Sequence, residues 1–299
     1  METGAQREPG DIRWMRILLN IWPLPRGKGI LLKLFRSRLQ NRDFLIEIEP
    51  GVLIPGELDD WMVLWFFTEG YKKNPSLLLS RSLIRPGDTV LDVGANIGLW
   101  VIGAARLAGA EGEVHAFEPV HQNFARLTRN MALNGLRRVI CQQMAVSDQC
   151  GRAVFYAPTN HNSGLGSLVP RETATRSVEI ESTTLDGYCE KYAIARVDFL
   201  KVDVEGAELL VFRGAERLLA SPEAPVIMFE TDETLTSRFS SSSVILKTFL
   251  HQYGYDFFHY DGKRLQRTAV NESHDVQVDL FALKPFHFER HSVLRTLMS

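Results

Sequence analysis

Val90-Leu-Asp-Val-Gly-Ala-Asn-Ile-Gly98 is the stretch that decides the fold. An apolar run reaches Val93, carries the acidic Asp92 near its end, turns at a loop bounded by two glycines and then becomes helical in pattern. Gly94 permits a tight turn, and Gly98 lets strand and helix approach closely. At such a junction the backbone N–H groups and the helix N-terminus face a ligand. The spacing is acidic-x-Gly-x-x-x-Gly, not the G-x-G-x-x-G of dinucleotide sites, because Asn96 stands where a second glycine would admit a pyrophosphate. Asp92 would also repel phosphate while suiting a cationic amino group. Both features argue against NAD and for a nucleoside with a sulfonium-bearing amino acid tail.

Outward from this loop, short β-branched or apolar runs alternate with helical patterns, the signature of βαβ units around a parallel sheet. Strands are expected at about residues 89–93, 113–118, 139–146, 197–203 and 225–231, with helices near 98–109, 121–134, 206–219 and 242–252. Phe124, Leu127 and Met131 give the second helix one apolar face. Tyr255 to Tyr260, an Asp261-Gly262 turn, a polar loop and Val276 to Lys284 read as an antiparallel pair closing the sheet edge. The expected architecture is α/β and Rossmann-like: a mostly parallel seven-stranded sheet with an antiparallel edge pair and an N-terminal α/β extension.

Glu118 ends the second strand run, twenty residues after Gly98, where a carboxylate would accept both ribose hydroxyls of a nucleoside. The third strand leads into Met144-Ala-Val-Ser-Asp148, where an adenine ring would rest against apolar groups such as Ala145 and a polar group would reach its amino edge. Asp148 reads equally well as the start of the turn Asp148-Gln-Cys-Gly151.

Asp198-Phe-Leu-Lys-Val-Asp-Val-Glu-Gly-Ala-Glu208 supplies the reacting end. Residues 201, 203 and 205 project to one side while the chain is extended, so Lys201, Asp203 and Glu205 converge where open parallel sheets bind their ligands. A structural Lys201–Asp203 ion pair, with Glu205 capping the next helix, fits the same residues. Methyl transfer from a sulfonium is an in-line displacement, but a hydroxyl acceptor needs a base or a metal. Asp203 and Glu205 are candidate bases, as is His161 in the loop Asn160 to Ser167. Glu230 and Asp232 at the fifth strand's end are candidates to join Asp203 around a divalent cation, and whether a metal is used stays open.

The 299 residues are 45% hydrophobic and 23% charged, the composition of an ordinary globular chain. A formal net charge of -2 leaves no whole-chain footprint for nucleic acid. Cys141, Cys150 and Cys189 have neither disulfide nor zinc spacing, which suits a cytoplasmic protein. No apolar run approaches the ~20 residues a spanning helix needs. From Arg13 to Arg42 there are eight Lys or Arg residues and no acid, interleaved with apolar residues including Trp14, Ile17 and Leu18. That segment suits either a helix packed on the main domain or peripheral contact with an anionic membrane. Residues 1–80 are read as this basic segment with a hairpin-and-helix brace or lid, and 81–299 as the main domain.

Together these motifs resemble the FkbM family of S-adenosylmethionine-dependent methyltransferases. The resemblance spans about Asp59 to Pro285. It is carried by Pro86 to Gly98, Phe117-Glu-Pro119, Ala145-Val-Ser-Asp148, Ser167-Leu168, Thr184-Leu-Asp-Gly-Tyr188 and Phe199 to Glu208. It implies a class I methyltransferase fold and O-methylation of a hydroxyl on a sugar, glycan or secondary metabolite. It also implies donor contacts at Asp92, Gly94, Asn96, Gly98 and Glu118, and an important role for Asp203 and Glu205. A non-catalytic donor-binding scaffold is the alternative, and a nicotinamide oxidoreductase is disfavoured by the missing glycine.

Overall fold

The computed structural model describes residues 6–7, 9–21, 44–58, 60–69, 74–158, 174–273 and 277–298. Its N-terminal part runs β1 (Gln6–Arg7), α1 (Gly10–Ile21), β2 (Phe44–Glu49), β3 (Val52–Pro55), α2 (Trp61–Glu69) and α3 (Pro75–Ser82). β2 and β3 pair antiparallel around Pro50-Gly51, as that turn predicts. Ile12, Met15 and Leu19 bury one stripe of α1, while Trp14, Ile17 and Leu18 on another stripe are exposed. Most of the basic segment expected between Arg13 and Arg42 lies outside the described residues.

Next come β4 (Thr89–Val93), α4 (Leu99–Ala108), β5 (Glu113–Phe117), α5 (His121–Leu133) and β6 (Val139–Gln142). The chain then forms β7 (Ala145–Val146), β8 (Gly151–Pro158), β9 (Ala174–Thr183) and α6 (Leu185–Lys191). It returns through β10 (Phe199–Val202), α7 (Glu208–Arg213), α8 (Glu216–Ala220), β11 (Val226–Thr231), α9 (Glu233–Thr236) and α10 (Ser243–His251). It closes with β12 (Asp256–Tyr260), β13 (Leu265–Thr268), β14 (Val278–Leu283), α11 (Pro285–Arg290) and α12 (Ser292–Met298).

The central sheet has the order β13-β12-β14-β11-β10-β4-β5-β6. β6, β5, β4, β10 and β11 are parallel, and β14, β12 and β13 continue antiparallel. This is the expected mostly parallel sheet with an antiparallel edge. It has eight strands where seven were expected, because the stretch read as polar loop contains β13, with Leu265 buried against β12.

Successive strands run outward from β4 to β6 and then cross back to β10, so the order reverses between β4 and β10. Ligands of open parallel sheets bind at that reversal, beyond the strands' carboxyl ends. Apolar residues on both faces of β4 and β10 are buried, with α3, α4 and α5 over one face and α6, α7 and α10 over the other. The first of these clusters is continuous with the buried stripe of α1 and with β2, β3 and α2.

Two expected elements are broken for identifiable reasons. The strand expected over 139–146 leaves the central sheet after Gln142, and Ala145–Val146 instead pairs with β9 in a small sheet ordered β7-β9-β8. The helix expected over 206–219 breaks at Gly214, where a Cβ would lie 2.1 Å from the Ser147 carbonyl oxygen. Only glycine lets that turn approach the β7 segment.

Candidate functional site

The glycine loop is fastened to the strands on both sides of β4. Gly94 has φ 87°, and a Cβ there would lie 1.8 Å from the Asp203 carbonyl oxygen, so the loop backbone touches the end of β10. Gly94 and Ala95 N–H both donate to the Phe117 carbonyl, at 3.1 and 2.9 Å. Asn96 takes the left-handed conformation at φ 51°, which Asn tolerates better than most residues. Gly98 leads into α4 with no side-chain cap, and a Cβ there would strike Leu127 and Met131 of α5.

Glu118 lies just beyond β5 and is buried. Its Oε2 accepts from Asn96 N–H at 2.9 Å, and its Oε1 from Val120 N–H at 2.9 Å and Asn123 Nδ2 at 3.4 Å. Burial pushes the carboxyl up to about 7 against these donors. A carboxylate offers roughly four acceptor positions, so Glu118 keeps acceptor capacity beyond these three bonds. Glu118 also braces the loop at Asn96. At the neighbouring strand end Ala145 is buried, and Asp148 accepts from Ser147 Oγ at 3.1 Å within the bend before β8.

The residues of the reacting end meet on the α3–α4 face of the sheet. Lys201 is the cross-strand neighbour of Asp92, and its Nζ lies 3.3 Å from Asp92 Oδ1 and 3.0 Å from Asp203 Oδ2. The ammonium also sits 5.9 Å from the Trp100 ring centroid. Burial works against the charge on Lys201, but the Asp203 and Asp92 carboxylates outweigh it and hold the ammonium above the ordinary lysine value. Burial raises the Asp92 carboxyl, with Lys201 opposing the rise. Asp92 is fully buried, and its Oδ2 has no hydrogen-bond partner. Asp203 is half-exposed, with 41% of its side chain reaching solvent.

Glu205 follows in a turn with φ 57°, and α7 begins at Glu208 with Ala207 as its N-cap and no side-chain cap. Glu208 Oε1 accepts from Val204 N–H at 3.3 Å and Gly206 N–H at 3.1 Å, and burial pushes this carboxyl up to about 7. The tight turn delays the helix start by two residues. His161 lies outside the described residues.

Asp232 turns away from the cluster to cap α9, accepting from Thr234 N–H at 2.7 Å and Leu235 N–H at 3.2 Å. Among the described residues, no group of three His, Cys, Asp or Glu side chains is assembled to hold a metal.

Sequence reasoning missed Asp279 and undervalued Glu230. They face each other across β11 and β14. Burial, followed by the Asp203 charge, pushes Glu230 up to about 9, and the same two causes push Asp279 up to about 6. Gln277 Nε2 donates to Glu230 Oε1.

The sequence matches the model described as the Methyltransferase FkbM domain over residues 92–257. A 31-O-demethyl-FK506 methyltransferase FkbM from Streptomyces tacrolimicus is 32% identical over 161 residues, 44% of this chain and 61% of that protein. Methyltransferase sdnD from Sordaria araneosa is 32% identical over 158 residues, 42% of this chain and 60% of that one. The 2-O-methyltransferase NoeI of Sinorhizobium fredii is 27% identical over 173 residues, 51% and 70% of the two chains. The match therefore spans less than two thirds of the first two relatives.

Proposed function

The chain belongs to the Methyltransferase FkbM domain family, and from that membership we propose that it is an S-adenosyl-L-methionine-dependent methyltransferase acting on a hydroxyl of a sugar, glycan or secondary metabolite. The observation that carries the reading is the contact between the glycine loop and the acidic end of β10: bare backbone at Gly94 meets Asp203, and one buried ammonium joins Asp92 to Asp203.

The residues fit that donor. Gly94 lets the loop backbone turn tightly against the end of β10, Asp92 Oδ2 is a buried acceptor suited to a cationic amino group, and Glu118 keeps acceptor capacity for the ribose. Asp92, Gly94, Asn96, Gly98 and Glu118 would hold it, with Ala145 and Asp148 at the adenine end. When bound, S-adenosyl-L-methionine supplies an electrophilic methyl on a sulfonium.

The protein's part is orientation in a dry pocket and disposal of the hydroxyl proton. Lys201, held as an ammonium by two carboxylates, positions Asp203 instead of moving a proton. Asp203 and Glu205 stand at the acceptor edge, where a carboxylate can accept a hydrogen bond from the acceptor hydroxyl. The names of two relatives, a 31-O-demethyl-FK506 methyltransferase and a 2-O-methyltransferase, specify oxygen as the methylated atom of their own substrates, which favours oxygen here.

The fold could persist as a donor-binding scaffold without chemistry. The retained Asp92, Glu118, Asp203 and Glu205 favour the enzyme. Titration calorimetry is expected to detect binding of S-adenosylhomocysteine and none of NADH, and the reverse result overturns the reading.

A cytoplasmic location with peripheral contact at an anionic membrane belongs to the same proposal, through the exposed Trp14, Ile17 and Leu18 of α1 and the basic residues from Arg13 to Arg42. Among the described residues no helix is long and apolar enough to cross a membrane. Co-sedimentation with anionic but not neutral vesicles, lost in Trp14→Ser, is the expected outcome. Equal binding to both vesicle types would contradict the membrane contact.

A further inference from the structure

Most carboxylates at the strand ends already have a task. Asp92 and Asp203 flank the Lys201 ammonium, and Asp232 caps α9. Glu230 has a different setting. Lys201 pairs across strands with Met228, two residues before Glu230, so Glu230 lies on the face of the sheet that carries Lys201 and Asp203. Its cross-strand neighbour is another acid, Asp279. Gln277 Nε2 occupies Oε1 from one side, which leaves Oε2 to bear a proton. The charged groups acting on Glu230 are Asp203, Asp279 and Glu205, while Lys201 and His259 act on Asp279.

We propose that Glu230 takes the proton of the acceptor hydroxyl, and that its carboxyl sheds a resting proton to solvent when a cationic donor occupies the glycine loop. The proposal rests on the methyltransferase reading. Desolvation and the neighbouring anions keep the resting carboxyl protonated at neutral pH. A positive charge brought to this edge favours the ionised form. During transfer the acceptor O–H bond breaks and its proton goes to Glu230 Oε2. The oxygen's electron pair forms the new C–O bond, and the pair of the broken S–C bond stays on sulfur. After transfer Glu230 holds the acceptor's proton; once the positive charge has gone the surrounding anions keep it there, and the next cationic donor to bind drives it off to solvent and regenerates the base. Asp203, balanced by Lys201, stays ionised and orients the hydroxyl.

The test is proton release on ligand binding, read by titration calorimetry at about pH 8 in two buffers of different ionisation enthalpy. Cationic S-adenosylmethionine should release about half a proton or more, and neutral S-adenosylhomocysteine much less. Glu230→Gln should bind both ligands without that difference. Asp279→Asn, which removes one of the raising charges, should shrink it; thermal melts confirm that each variant is folded. Equal proton release for the two ligands, or a difference that survives in Glu230→Gln, overturns the proposal while leaving the donor reading intact. Failure of both ligands to bind the parent protein overturns the donor reading and this proposal with it.

Discussion

Replacing Lys201 by Met keeps the side-chain volume and removes the charge. In the parent the ammonium lies 3.3 Å from Asp92 and 3.0 Å from Asp203, and the Asp92 side chain is 1% exposed. Asp203 can turn toward water, but Asp92 cannot. Removing one partner of a buried pair costs about 3–5 kcal/mol, because the remaining charge is uncompensated. For a large domain each kcal/mol lowers Tm by about 2–4 °C, so the variant's midpoint should fall by roughly 6–20 °C.

The loss depends on pH. Without Lys201 the carboxyl of Asp92, already raised by burial, rises further. The folded variant then binds more protons than the unfolded chain, and its stability falls as pH rises. Lys201 in the parent has a raised value, so its contribution is complete below about pH 10 and is lost only above that. The deficit of the variant is therefore largest near about pH 8 and narrows toward about pH 5. Urea melts of the parent, Lys201→Met and Lys201→Met with Asp92→Asn check this, and the double variant should recover at least half of the loss. A single variant within about 1 kcal/mol of the parent, or a deficit that widens toward acid, refutes the reasoning.

Gly94→Ala places a Cβ 1.8 Å from the Asp203 carbonyl at φ 87°; the loop must shift, and calorimetry should find donor binding abolished even where the variant folds. Glu118→Gln cannot accept as its parent does from both Asn96 and Val120 N–H, so donor affinity should fall by about tenfold or more, with the melting temperature as the control for folding. Asp203→Asn should lower kcat by about a hundredfold while donor Kd moves less than about tenfold; a large Kd change would assign Asp203 to the donor instead. Burial raises both Glu118 and Glu208 to about 7. Each is a carboxyl that the folded state protonates more readily than the unfolded one, so parent stability in urea should decline between about pH 5 and pH 8, and Glu208→Gln should flatten that slope.

The geometry of the glycine loop and of Glu118 was legible because its determinants are local. Asp92, Gly94, Asn96, Gly98 and Glu118 lie within two adjacent βα turns, where spacing alone sets the register. Lys201 and Asp203 were legible from strand alternation, but not that Asp92 would be the second partner, which depends on β10 entering beside β4. The start of α7 was read two residues early, because the left-handed turn at Glu205 and Gly206 delays the helix to Glu208. Asp279 was invisible for a longer-range reason. It becomes the neighbour of Glu230 only because β14 inserts between β11 and β12, and no local pattern in Val278–Leu283 announces that insertion. The short strand β7 likewise depends on pairing with β9, nearly forty residues later.

The most direct test of the central claim is transfer of label from methyl-labelled S-adenosylmethionine to a carbohydrate or metabolite extract, with Asp203→Asn as the control. The account predicts a labelled O-methyl product whose formation depends on Asp203. Failure to label any hydroxyl-bearing acceptor in a broad panel, by a protein that still binds the donor, would contradict it and leave a donor-binding scaffold.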